Sequence, residues 1–156
     1  MFRRFFAFIV MFALATGTLW AQQNPLVGTW KTNVAKSKIS LGGAATVQVV
    51  KYEASGSNGI KYTSDRVASD GTKSHVEFTA YFNGSTAPYT GVQDRDAITV
   101  KKIDAYTYQV FYKLRGETVQ INFWIVSRDG KTLTTVSTGV GSDNKVFSRF
   151  VVADRQ

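Results

Sequence analysis

Cysteine is absent from this 156-residue chain, and histidine occurs once. The first absence excludes a disulfide-stapled scaffold, and also an acylated lipoprotein, whose lipid is carried by an N-terminal cysteine. Packing alone must hold the fold. A single histidine leaves no cluster of that residue to ligate a metal, and no glycine-rich nucleotide loop stands elsewhere in the chain, so no metal or cofactor is implied. Repeats and low-complexity segments are missing, and no stretch carries a helical period. Long apolar runs are missing too. The run Phe5 to Leu14 has ten residues, half of the about 20 that a membrane-crossing helix needs.

That run sits between Arg3-Arg4 and the small-residue stretch Ala15 to Ala21, which is the three-part layout of a secretory signal peptide. Residues 1–21 are read as a leader with cleavage after Ala21, and Ala13-Leu14-Ala15 is a competing small-x-small site. Arg3-Arg4-Phe5-Phe6 is only a fragment of a twin-arginine signal, so general export is expected, to the periplasm or the extracellular medium. Residues 22–156 are then one domain, long enough to bury a core.

The formal net charge is +8, of which Arg3 and Arg4 leave with the leader. The remaining excess is spread along the chain at Lys51, Lys61, Lys101, Lys102, Lys113 and Lys131, without a dense run. Solvated outer strand faces account for this pattern, with attraction to acidic surface polymers or an anionic ligand as the other reading. A nucleic-acid partner is not expected, and a monomer is.

Turn signals punctuate the domain at Asn58-Gly59, Asp70-Gly71, Asn83-Gly84, Asp104-Ala105, Arg115-Gly116, Asp129-Gly130 and Gly141 to Asn144. Each interval leaves room for one strand, the spacing of hairpins in a meander. The segments between are rich in Val, Ile, Thr, Tyr and Phe and alternate with period two. Strands are predicted near 26–32, 45–54, 59–68, 73–82, 85–90, 96–103, 106–114, 117–127, 131–139 and 145–153. So many sequential antiparallel strands expose a long edge unless the sheet closes. The predicted fold is therefore an all-β, antiparallel up-and-down barrel of about 8–10 strands, with a two-sheet sandwich as the alternative.

Alternation sorts the side chains. Ile60 and Tyr62, Val76, Phe78, Ala80 and Phe82, Ile98 and Val100, Tyr106, Tyr108, Val110 and Tyr112, and Val119, Ile121, Phe123 and Ile125 are predicted to point inward. Gln109, Lys113, Gln120 and Asn122 are predicted to face water, together with His75, Glu77, Thr79 and Tyr81. Such polar outer faces argue against an outer-membrane barrel, which needs an apolar belt.

At the head of the first strand, Asn24-Pro25-Leu26-Val27-Gly28-Thr29-Trp30-Lys31 carries a Gly-x-Trp. Gly28 and Trp30 in this setting resemble the signature of lipocalins and fatty-acid-binding proteins. The continuation Thr32 to Lys38 is similar to small exported bacterial proteins described as lipocalin-like. The resemblance implies a barrel whose base is closed by Trp30 under an arginine of the last strand, a role that falls to Arg149. The chain departs from both families. It ends with the last strand, whereas lipocalins add a helix. Asn33 to Ala44 is too short for the two lid helices of fatty-acid-binding proteins, and Arg149-Phe150-Val151 stands where those proteins have Arg-x-Tyr.

Two groups of residues could carry chemistry. His75 and Glu77 share a strand face, a minimal acid–base pair, but on the polar side and with no third group specified. Asp94 and Asp96 flank Arg95 in a loop, where turns use Asp routinely and a calcium site would need more oxygens. No enzyme is expected. The expected function is an exported binding module that holds a small apolar or amphipathic ligand, lined by Tyr62, Phe78, Tyr108, Tyr112, Phe123 and Arg149. The alternative is an envelope interaction or structural protein with a solid core, since a small closed barrel can fill its interior with side chains.

Overall fold

A computed structural model describes residues 24–39, 47–67, 73–141 and 144–156. The leader 1–21 lies outside the described residues, as do the turn at Asp70-Gly71 and parts of the predicted strands 45–54 and 59–68. The strands are β1 (Gly28–Thr32), β2 (Lys38–Ile39), β3 (Val49–Ala54), β4 (Gly59–Val67), β5 (Lys73–Tyr81), β6 (Asn83–Pro88), β7 (Ala97–Lys102), β8 (Thr107–Leu114), β9 (Glu117–Val126), β10 (Thr132–Val140) and β11 (Val146–Arg155). All ten predicted strands form. Two elements were not anticipated: β2, which adds to β11, and a 3-10 turn at Val34–Lys36 whose start is capped by the Asn33 side chain.

The strands pair antiparallel in the order β5-β4-β3-β1-β11-β10-β9-β8-β7-β6, which makes a nearly closed up-and-down barrel. Pairing of β1 with both β3 and β11 joins the first strand to the last. One seam remains, between β5 and β6, bridged at Glu77 and Thr90. Gly91 fits there because its φ of +98° suits glycine and because a Cβ would collide with the His75 carbonyl. Inside, Phe78 of β5 stacks on Tyr89 at 5.4 Å between ring centres, and Tyr89 meets Tyr112 edge-on at 5.4 Å. Side-chain stacking thus replaces the ladder across the seam.

The interior divides into two halves. At the base Leu26, Trp30, Ile60, Ala80, Phe82, Ile98, Val100, Tyr108, Val110 and Val126 form a filled apolar core. Outside, β3, β4 and β5 carry half-exposed ion pairs, Lys51–Glu53 at 2.9 Å and Lys61–Glu77 at 3.0 Å, as the alternation predicts.

Strand β9 corrects that alternation. Gln120, Asn122, Trp124 and Val126 are its buried residues, while Phe123 and Ile125 are 37% and 38% exposed. Gln120 and Asn122, predicted to face water, point inward, and Phe123, predicted to line the interior, points out. The cause is a β-bulge. Leu114 pairs with Glu117 and Lys113 with Thr118, but Tyr112 then pairs with Gln120, which leaves Val119 as the extra residue. One inserted residue exchanges the faces of everything beyond it. In consequence Phe123, Val136 and Phe150 lie side by side across the outer faces of β9, β10 and β11, each about two-fifths exposed.

Candidate functional site

The base is assembled around Trp30, which is fully buried and donates from its indole nitrogen to the Leu26 carbonyl at 2.9 Å. Asn24 fixes the chain ahead of it. Its side-chain oxygen accepts from the Leu26 amide at 3.0 Å and from the Tyr108 hydroxyl at 2.6 Å, and burial pushes the Tyr108 pKa up to about 12. Arg155, not Arg149, lies over the indole, with its guanidinium carbon 4.2 Å from the ring centre. It donates to the carbonyls of Gly130, Val27 and Pro25, and desolvation lowers its pKa. Gly28 has φ +148°, and any Cβ there would strike the Arg155 guanidinium. The Gly-x-Trp pair therefore works with an arginine from the last described strand, six positions beyond the one predicted.

Above this plug lies a cavity of about 200 Å³. Its walls include the aromatic rings of Tyr52, Tyr62, Tyr89, Tyr112 and Trp124, and its floor is Trp30 and Leu133. The polar side chains Thr32, Gln48, Arg95, Gln120, Asn122, Thr135, Ser137 and Arg149 and the apolar Val50, Val151 and Ala153 make up the rest of the lining. The bulge in β9 explains their presence, since it brings Gln120 and Asn122 inside. Register then sets Asn122 beside Ser137, and Ser137 beside Arg149.

Arg95 enters from the loop between β6 and β7. Asp94 clamps it through Nε at 3.0 Å and Nη2 at 2.7 Å, and Nη1 donates to Gln120 Oε1 at 3.0 Å. Its guanidinium also lies 5.0 Å from the Tyr112 ring centre and 5.9 Å from that of Tyr89. Burial works against the Arg95 charge, but the Asp94 carboxylate more than compensates and its pKa is raised. The same hydrogen bonds lower the Asp94 pKa. Desolvation raises the pKa values of Tyr52, Tyr62 and Tyr112 above the ordinary tyrosine value.

Several of these buried polar groups are not satisfied by the chain. Tyr52, Tyr112, Asn122 and Ser137 are each at most 7% exposed. Among the described residues the three hydroxyls and the Asn122 amide nitrogen make no hydrogen bond. No such atom is sealed from solvent-sized probes, so these groups open onto the cavity.

Of the predicted lining residues, Tyr62, Tyr112 and Arg149 do line this cavity. Phe78 is buried behind it, stacked on Tyr62 at 4.7 Å, and Tyr108 belongs to the base. Phe123 is outside the barrel. Arg149 lies at the exposed rim, with its guanidinium carbon 4.5 Å from the Phe147 ring centre. Sequence reasoning missed Gln48, Tyr52, Arg95, Gln120, Asn122, Trp124 and Ser137. Trp124 was the usable signal, because it shares a face with Gln120 and Asn122 and a large ring on an outer face is the costlier placement.

His75 and Glu77 do not pair. His75 Nδ1 lies 2.7 Å from Asp65, and Glu77 pairs with Lys61, all on the outer face. Asp94 is taken by Arg95, and Asp96 accepts from the Arg115 amide at 2.8 Å, so the two carboxylates do not converge. Two larger concavities lie elsewhere. One of about 540 Å³ runs among the base turns past Pro25, Asn58, Lys102 and Arg128, and one of about 480 Å³ lies by Asp94, Leu114, Val119 and Val140. Neither gathers buried polar groups without partners, and the interior cavity is therefore the candidate site.

No family model matches the chain, and no curated protein matches it in sequence. Its fold is similar to that of the zebrafish ileal bile acid-binding protein, solved in complex with cholic acid. The TM-score is 0.54 at 12% identity, over 85% of this chain and 99% of the other. At that identity the likeness is one of fold alone, an antiparallel β-barrel.

Proposed function

We propose that the protein is an exported binding module that holds one small amphipathic molecule in the upper half of its barrel. The observation that carries this reading is the set of buried groups on Tyr52, Tyr112, Asn122 and Ser137 that the chain leaves without partners. These groups are open to the cavity and uncommitted within the chain, so an occupant placed there would gain hydrogen bonds from them at about 0.5–1.5 kcal/mol each. The aromatic walls supply the apolar contact. Of the apolar or amphipathic ligands expected from the sequence, the amphipathic kind is favoured, because Phe123 is outside and Gln120 and Asn122 are inside. The bile acid-binding neighbour supports ligand binding in such a barrel, and the leader-like residues 1–21 support export to the periplasm or beyond.

Within this reading the arginine in the wall, tied to Asp94, positions wall groups for a bound molecule. Native mass spectrometry of the protein from its own host tests both parts. A retained small molecule, on a chain that begins at Gln22, is the expected result. A ligand-free, full-length chain recovered from the cytoplasm would contradict them.

The exposed row Phe123, Val136 and Phe150 favours a second role as a contact surface within the envelope, since adjacent exposed apolar side chains mark interaction sites more often than scattered ones do. Loss of a co-purifying partner on Phe123→Ser and Phe150→Ser, with ligand retention unchanged, would separate this role from the first.

A further inference from the structure

Arginine can donate hydrogen bonds but cannot accept them, and this sets the orientation of two amides in the cavity wall. Arg95 Nη1 donates to Gln120 at 3.0 Å, so the oxygen of Gln120 is the atom turned toward Arg95. Its nitrogen is turned away and donates to Asn122 Oδ1 at 2.7 Å. The oxygen of Asn122 is thereby committed to Gln120. Its nitrogen, with two N–H donors, is the group presented to the cavity. Flipping either amide would set nitrogen against nitrogen or oxygen against oxygen. The relay is anchored at its far end, because Asp94 holds the remaining edge of the Arg95 fork.

The other groups at the cavity agree with a donor role. Ser137 lies across the sheet from Asn122, and the hydroxyls of Ser137, Tyr52 and Tyr112 can all donate. Arg149 adds positive charge at the rim, and among the described residues no Asp or Glu lines the cavity. A cationic ligand would have no counter-charge there, whereas an acceptor oxygen would meet several donors. Size is the second constraint. At about 200 Å³ the cavity falls below the roughly 300–1,000 Å³ of pockets that enclose drug-sized ligands. A long-chain amphiphile does not fit beneath the rim, because Trp30 and Leu133 close the floor.

Resting on the reading of the barrel as a binding module, we propose that its occupant is a compact carbonyl or carboxylate compound of about ten heavy atoms. Its acceptor oxygen is held by Asn122 Nδ2, and Arg95 and Gln120 act as positioning residues that keep that nitrogen facing inward.

The test uses the folded protein freed of bound small molecules and reads the fluorescence of Trp30 and Trp124, both in the cavity wall, against four probes. 4-Hydroxybenzoate and 4-hydroxybenzamide carry the acceptor in charged and neutral form, 4-hydroxybenzylamine is a size-matched cation, and dodecanoate is a long-chain amphiphile. At least one of the two acceptor probes is expected to saturate at one per chain and to bind at least tenfold more tightly than the amine and dodecanoate. The stronger of the two identifies the charge state. Asn122→Asp replaces the donor by an acceptor of the same shape. It should weaken the acceptor probe at least tenfold and improve the amine, an inversion that general damage to the fold would not produce. Arg95→Gln can donate or accept, so it should reduce the preference for acceptor over amine. Tighter binding of dodecanoate, or a preference unchanged by Asn122→Asp or Arg95→Gln, would overturn this inference and leave the binding module standing. Failure of all four probes to bind would sink both.

Discussion

Arg155 lies over Trp30, with its guanidinium carbon 4.2 Å from the indole ring centre, and the two residues are also register partners on β11 and β1. The contact therefore ties β11 to β1 in the middle of the sheet, on the side of the barrel away from the β5–β6 seam. It also caps the buried core, because Arg155 satisfies the carbonyls of Pro25 and Val27 in the turn that precedes β1.

Coupling between these positions should be measurable. A cation over an indole contributes about 0.5–2 kcal/mol, and lysine keeps the charge without the flat stacking surface or the fork of donors. In urea melts, Arg155→Lys should destabilise the wild type by more than it destabilises Trp30→Phe, and the difference is the coupling energy. Arg149→Lys should show no coupling to Trp30, and coupling at 149 instead of 155 would contradict the geometry.

Gly28→Ala should cost more than loss of helix or strand propensity explains. The backbone there is at φ +148° and the new methyl would displace the Arg155 guanidinium. Strain of this kind costs on the order of 1–3 kcal/mol. The loss should shrink in the Arg155→Ala background, because part of it is the clash; an unchanged loss would leave backbone strain as the whole cause.

The face exchange on β9 gives a direct mutational test. Trp124 is 2% exposed and Phe123 is 37% exposed, although the two are adjacent. Trp124→Ala should cost about 3–5 kcal/mol, the range for deleting a buried large aromatic. Phe123→Ser should cost about 1 kcal/mol or less, as surface substitutions do. Equal losses, or the reverse order, would mean that the bulge at Val119 is absent in solution.

Alkaline conditions should unfold the protein through its buried tyrosines. Desolvation raises the folded-state pKa values of Tyr52 and Tyr112 well above the ordinary value, whereas in the unfolded chain they ionise near pH 10. The unfolded state then releases protons that the folded state keeps. Their stabilising contribution is complete below about pH 10 and is lost as pH rises above it. Melting temperature followed from pH 8 to 12 should fall steeply above 10, and Tyr52→Phe with Tyr112→Phe should flatten that fall. A slope unchanged in the double variant would place the alkaline sensitivity elsewhere.

How far the site could be read from the chain depended on one inserted residue. Turn chemistry at Arg115-Gly116 correctly joins Leu114 to Glu117. Continued without interruption, that register puts Val119, Ile121, Phe123 and Ile125 opposite the inward set of β8, which is the arrangement alternation predicts. The bulge at Val119 reverses it. β9 is apolar enough on both faces that local pattern does not choose between them, and packing of Trp124 against Tyr52 and Phe78 decides the matter. The exchange also converts a predicted apolar lining into a polar one.

The arginine of the base was misplaced for a related reason. The resemblance to lipocalins assigns the base-closing role to Arg149, but on the inward face of β11 that residue reaches only the cavity rim. Arg155 carries no mark in the sequence that sets it apart from Arg149. Yet β1 pairs with β11 so that Trp30 falls opposite Arg155, and only the assembled sheet makes that pairing.

What the sequence by itself determined was the ten-strand antiparallel meander, from its turn residues and its period-two alternation, and the burial of Trp30 beside a glycine. These are local preferences, carried by residues within a few positions of one another. The tertiary structure alone decided which face of β9 looks inward, which arginine covers Trp30, and that Asp94, Arg95, Gln120 and Asn122 form one hydrogen-bonded relay into a cavity. Those relationships depend on strand register summed around a closing barrel. A shift of a single residue changes which side chains meet, and no local pattern in the chain records it.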